Sequence, residues 1–449
     1  VKQKTPIGGI GLLLYALPAV PLAFPTIPVA VLLPAFYAET VGLSLAVIGL
    51  VLGASRLLDV LTDPLVGALA DRGGGRKAWI ACGAVIAGIS LIQVFNPPAE
   101  AGAFYLLCWS ASLYLGWTMV QIPYQAWGAE ASGDYLTRAR IAGARETATV
   151  CGILLAGIGP ALAGYAQLEM GQGLAALAWV TVGLGAATII GLLVMVRSPP
   201  AGTAPFPSFG TLRILARNKP FLRLVAAWVV NGLATGVPAA LFPFFVQHAL
   251  RGTDIEKGLF LFLYFLCAVL SVPLWLALAR RIDKHRAWCV AMIMAVVAFL
   301  PVPFLGAGDL LAFGIVCAIT GAALGADLAL PPAMQADVVD YGTLKEGNAR
   351  AGLYFALWSM ATKLALAASV MLALPALSLF GFDPALDTQA PGALVALGLI
   401  YAGFPAVCKM AAIGIVIRHA LTARRHGVIR RRLDARSRRG NPEYGGIDR

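Results

Sequence analysis

Apolar runs of about 20 residues or more, long enough to cross the hydrocarbon of a bilayer, recur along the whole chain between short polar breaks. They begin near Gly11, Leu45, Trp79, Ala103, Ala142, Gly173, Leu222, Gly258, Trp288, Leu310, Gly352 and Gly392. Twelve such runs predict twelve transmembrane helices, because hydrocarbon offers no water to unpaired backbone groups and the alternating pattern of barrel strands is absent. The fold class is read as an all-α integral membrane protein. Composition agrees: 59% hydrophobic and 12% charged residues exclude a soluble multi-domain chain of 449 residues. The first run is longer than a signal-peptide core and lacks a small-residue cleavage site, so it is expected to stay as the first helix.

The polar breaks alternate between Lys/Arg-rich segments, such as "DRGGGRKAW", "ARRIDKHRAW" and the tail "RRHGVIRRRLDARSRR", and segments with almost none, such as "NPPAEAGA". Positive charge marks the cytoplasmic side. Both termini are therefore expected in the cytoplasm, and the chain in the cell inner membrane as a multi-pass protein. The net charge of +12 mostly reflects this asymmetry. The arginine-rich tail is read as touching anionic lipid headgroups, with no nucleic-acid partner. The seven cysteines show neither a disulfide frame nor metal spacing. No H-E-x-x-H, G-x-S-x-G or phosphate-binding loop occurs, so the chain is not expected to be an enzyme and no cofactor is implied.

An internal repeat organises the chain. "DPLVGALADRGGGRKAW" from Asp63 has its counterpart in "VPLWLALARRIDKHRAW" from Val272, with Pro64 matching Pro273 and Trp79 matching Trp288. The expected units are an N-terminal six-helix bundle (1–196), a Pro/Gly-rich linker (197–220), a C-terminal six-helix bundle (221–421) and a basic tail (422–449). Two duplicated bundles facing one another suit a transporter that rocks about a midplane site.

Within the second run, "RLLDVLTDP" places Asp59 and Asp63 where a bare charge would cost roughly 3 kcal/mol or more. Spaced by four, they share a helix face, and Arg56, expected to act in gating, lies close to it. The repeat sets them opposite Ala268 and Val272, so this helix type is built without them. Two carboxylates and one arginine leave a surplus negative charge suited to a proton or Na+.

"GALADRGGGRK" (Gly67 to Lys77) resembles the loop signature of the major facilitator superfamily, in which Asp71, Arg72, Arg76 and Lys77 would pair with helix ends in one conformation and release them in another. Together with "RLLDVLTDPLVG", "IPYQAWGAEAS" and "ADVVDYGTLKEGNARAGLYFALWSMATKLAL", it resembles the glycoside-pentoside-hexuronide:cation symporters, the melibiose-permease-like family. That resemblance implies the major facilitator fold. It also implies that Asp59 and Asp63, with Thr118, hold the coupling cation, Na+ or H+. Thr62 stands where Na+-using relatives often carry Asn. Lys363 matches the family's eleventh-helix lysine and Arg145 a family arginine near the sugar, and both are candidates to contact the substrate.

The departures bear on the substrate. Helix one lacks an acid before Glu39, and the second acidic sugar position of the family is Gln121 here. Pro18, Pro21, Pro25 and Pro28 are expected to break helix one, either supplying free carbonyls or shaping a wider apolar cavity. Asp327 is open between two readings, replacing the missing acids or neutralising Lys363. Tyr124 and Trp358 are candidates to stack on a sugar face. Lys409 is given no role and lies close enough to the helix end to snorkel. The expected activity is cation-coupled symport of a small organic solute, sugars or glycosides first. A lysolipid-like amphiphile or a non-transporting membrane protein are the alternatives, and a monomer is expected.

Overall fold

The computed structural model describes residues 9–72, 75–130, 135–196, 218–346, 351–418, 424–429 and 431–432. The expected linker, apart from 218–220, and the tail beyond 432 lie outside the described residues, as do the side chains of Asp71 and Arg72. Among the described residues there is no strand, and twelve helices are long and apolar enough to span a membrane. They are α1 (Gly9–Glu39), α2 (Leu45–Gly67), α3 (Gly75–Phe95), α4 (Ala103–Gly128), α5 (Arg140–Tyr165), α6 (Met170–Met195), α7 (Lys219–Ala249), α8 (Asp254–Ile282), α9 (Lys284–Phe304), α10 (Leu310–Lys345), α11 (Tyr354–Leu379) and α12 (Pro391–Val416). Each span starts within four residues of its expected point. Several start earlier, because hydropathy finds the hydrocarbon whereas a helix begins at its polar cap. At α8, Thr253 and Glu256 form that cap: the Thr253 N–H donates to Glu256 Oε2 at 2.6 Å.

Helix α1 is broken as its prolines require. Helical segments Gly9–Ala16 and Ala19–Ala23 are followed by a π-helical turn at Pro28–Leu32 and a last segment Leu33–Glu39. The carbonyl of Tyr15, beside the first break, accepts the Tyr124 hydroxyl of α4. At this break a backbone carbonyl serves packing between helices.

The apolar core is asymmetric from one end of the molecule to the other. At the end where α1 finishes and α2 begins, one continuous core joins both halves: Leu32, Ile48 and Leu52 pack in the same cluster as Leu241, Phe245, Val370 and Leu374. Close backbone approach makes this seal. A Cβ on Gly258 of α8 would lie 2.2 Å from the Ala161 nitrogen of α5, and one on Gly49 of α2 would lie 3.0 Å from the Val370 carbonyl of α11. At the opposite end, which carries the basic loops, there are two separate cores: one around Tyr15, Ile80, Trp127 and Leu192, the other around Phe221, Trp288, Met334 and Tyr354. Among the described residues, the halves are closed at one end and parted at the other.

Candidate functional site

Helix α2 turns a leucine stripe outward: Leu61 is 66% and Leu65 54% exposed, as befits a lipid-facing side. Asp59 and Asp63 project from the opposite side. There they meet Thr118 of α4 and Lys363 of α11. The Lys363 ammonium lies 2.7 Å from Asp59 Oδ2 and 2.6 Å from Asp63 Oδ2. The Thr118 hydroxyl lies 2.8 Å from Asp59 Oδ1 and 2.9 Å from Asp63 Oδ1. Asp63, one turn nearer the parted end, has the more exposed side chain of the two, 21% against 9%.

This arrangement has a chemical consequence. A hydroxyl carries one proton, so Thr118 donates to one carboxylate only. The other short oxygen–oxygen contact is favourable when that carboxyl carries a proton, or when a cation sits among the oxygens. The ammonium cancels one of the two negative charges and leaves one. Because Lys363 belongs to the second half of the chain and the carboxylates to the first, the same cluster ties the halves together.

The other expected residues are placed less uniformly. Thr62 is outside the cluster: its hydroxyl donates to the Asp59 backbone carbonyl at 3.0 Å, the usual bond of a mid-helix threonine. Gln121 sits one turn beyond Thr118 on α4 and is half-buried. Tyr124 is sealed in the core, ring against Tyr15 at 4.9 Å, so in this conformation it clamps α4 to α1 and has no open face for a solute. Arg145 pairs with Glu146 and lies within reach of the Tyr15 hydroxyl. Trp358 stacks on Trp228 at 4.8 Å, and Trp228 in turn lies 6.4 Å from Trp288, so three indoles run from α11 through α7 to α9.

Of the expected gating residues, Arg56 lies over the Tyr114 ring of α4 at 5.1 Å. Arg76 is buried. Lys77 donates to the Leu193 carbonyl at 2.5 Å, capping the C-terminal end of α6, and sits 5.7 Å from the Trp127 ring. Arg56 and Lys77 thus bond within the first six helices. In the second half the corresponding loop behaves alike: Lys284 pairs with Asp337 of the "ADVVDYG" segment at 2.7 Å, and His426 from the start of the tail sits 2.9 Å from Asp340.

A second intramembrane charge cluster escaped the sequence reading. Asp327 is turned to Lys409, not Lys363: its Oδ2 lies 3.8 Å from the Lys409 ammonium and its Oδ1 accepts the Trp288 indole N–H at 2.5 Å. Lys409 also donates to Asn231 Oδ1 at 2.9 Å and is 4% exposed. It does not snorkel, because it faces inward. The signal was there in α12, where Ala402, Pro405, Ala412 and Val416 share the Lys409 face and are buried, while bulky Val407 and Met410 face out.

A family model described as MFS/sugar transport protein matches residues 14–423. The uncharacterized symporter YjmB of Bacillus subtilis (strain 168) is 22% identical over 90% of this chain and 90% of its own length. A glucuronide carrier protein homolog of Escherichia coli (strain K12) is 23% identical over 74% of this chain and 76% of its own. Among solved structures, a crystal structure of the nucleoside transporter NupG superposes with a TM-score of 0.69 at 14% identity, covering 90% of this chain and 98% of that one. This last likeness is one of fold.

Proposed function

Because the chain belongs to the MFS/sugar transport protein family, and is therefore a multi-pass membrane transporter rather than an enzyme, we propose that it couples entry of Na+ or H+ to symport of a sugar or glycoside. The observation that carries this reading is the meeting of Asp59, Asp63 and Thr118 with Lys363 across the two halves. A monovalent cation and the Lys363 ammonium compete for the same two carboxylates. Occupation by the cation loosens the tie between α2 and α11, and release of the cation restores it. Coupling then follows from charge: the surplus negative charge at mid-membrane favours a state in which it is neutralised. With the basic loops on the cytoplasmic side of the inner membrane, the parted end faces inward. The sugar reading draws on the family description and on the relative named a glucuronide carrier homolog.

The test uses the full chain in proteoliposomes with an imposed Na+ gradient, an imposed pH gradient, or neither, and a labelled panel of pentoses, hexoses and hexuronides. One of the two gradients should drive accumulation. Uptake insensitive to both gradients would sink the coupled reading.

A further inference from the structure

Inside the second half, an internal space opens beside the Asp327–Lys409 pair. Its polar end is formed by Asp327 and Lys409, Thr235 and Thr320 add hydroxyls along it, and its walls are aromatic rings, among them Phe242, Phe260, Tyr264 and Tyr401. Val31 of α1, from the other half, closes one side. Val31 and Tyr401 both sit in π-helical turns, Pro28–Leu32 and Leu399–Gly403, a distortion frequent at functional sites.

The polar end is incompletely used by the protein. At 3.8 Å the Asp327–Lys409 separation is too long for a hydrogen bond, although both groups are buried and both line the space. Lys409 has three N–H donors, of which Asn231 takes one. Asp327 Oδ2 keeps acceptor capacity after Trp288 has used Oδ1.

The geometry points to a solute site here, for a neutral molecule with a hydroxyl-bearing end and an apolar flank, such as an aryl or alkyl glycoside. The pair is already balanced in charge, so an ionic ligand would leave an uncompensated buried charge whereas a neutral one does not. A sugar hydroxyl both donates and accepts, and two adjacent hydroxyls answer a carboxylate and an ammonium side by side. The aromatic walls take the apolar flank. The site thus supplies in the C-terminal half the hydroxyl acceptor that helix one lacks before Glu39. This assignment rests on the transport reading above but uses none of its cation-binding residues.

The experiment is equilibrium binding of 4-nitrophenyl glucosides and galactosides to the full chain in nanodiscs. It is run on the wild type, on Thr320→Phe, which fills the space without touching the ion pair, and on Val407→Phe, a change on the outward face of α12. The inference expects binding to the wild type, at least a tenfold weakening in Thr320→Phe and retained binding in Val407→Phe. Cys317 lines the same space, so a bound glycoside should also slow its methylthiolation, read by peptide mass spectrometry against Cys82; this readout stands if Thr320→Phe does not fold. No binding to the wild type, binding unchanged by Thr320→Phe, or Cys317 left unprotected overturns the site. Failure of gradient-driven uptake with the binding results intact would remove the coupling proposal and leave this one standing.

Discussion

The membrane interior holds two clusters of acid and base, and they differ in three ways at once. Asp59, Asp63 and Lys363 carry unbalanced charge, join the two halves of the chain, and keep some exposure towards the parted end. Asp327 and Lys409 balance, lie within one half, and are nearly closed off. A balanced pair inside one rigid body can stay as it is through a conformational cycle. An unbalanced set shared between two bodies cannot, since parting them strips the carboxylates of their ammonium. The difference separates a cluster suited to follow an ion gradient from one suited to hold a fixed polar surface.

The comparison can be broken most sharply at Asp59. Asn at this position should lower gradient-driven uptake by about 100-fold or more, the scale of a broken buried ion pair, while downhill exchange of labelled solute persists; equal loss of both would mean that the residue only holds the fold. Next in size is Lys409→Met, which strands the Asp327 carboxylate and should cost roughly 3 kcal/mol in stability. Thermal unfolding reads it, and adding Asp327→Asn should recover most of the loss; a silent single variant would erase the contrast between the clusters. Lys363→Met removes the competitor for the carboxylates, so cation affinity should rise about tenfold, by the 1.4 kcal/mol that a factor of ten represents, while turnover falls. Isotopic Na+ binding or proton release on solute addition measures this. Smallest is Thr62→Val, whose hydroxyl bonds only to its own helix backbone; cation affinity should change less than about twofold, in line with a loss under 0.5 kcal/mol.

The helices were legible because the bilayer imposes one length and one polarity on every span. The paired carboxylates stood out for the same reason, as charges in an apolar run. Contacts between spans were not legible in this way. Lys363 and Lys409 look alike on the chain, each a lysine in an apolar helix, and only the packing reveals that one reaches α2 and the other α10. Tyr124 and Thr62 had the right chemistry and spacing for a site, yet neighbouring backbone carbonyls claimed their hydroxyls first. The small-residue face of α12 would have placed Lys409 correctly, since a lysine among alanines on one side cannot reach the membrane surface by bending outward through protein.

At the closed end, glycine and alanine backbones touch with no flexible side chain between them. Surfaces matched this closely separate as a whole or not at all, and the shared core there must be given up when they do. An occupied carrier can offset that loss through its ligands, whereas a vacant one has no such help. Its return stroke is then the slow leg of the cycle, and swapping labelled for unlabelled cargo should outpace net accumulation.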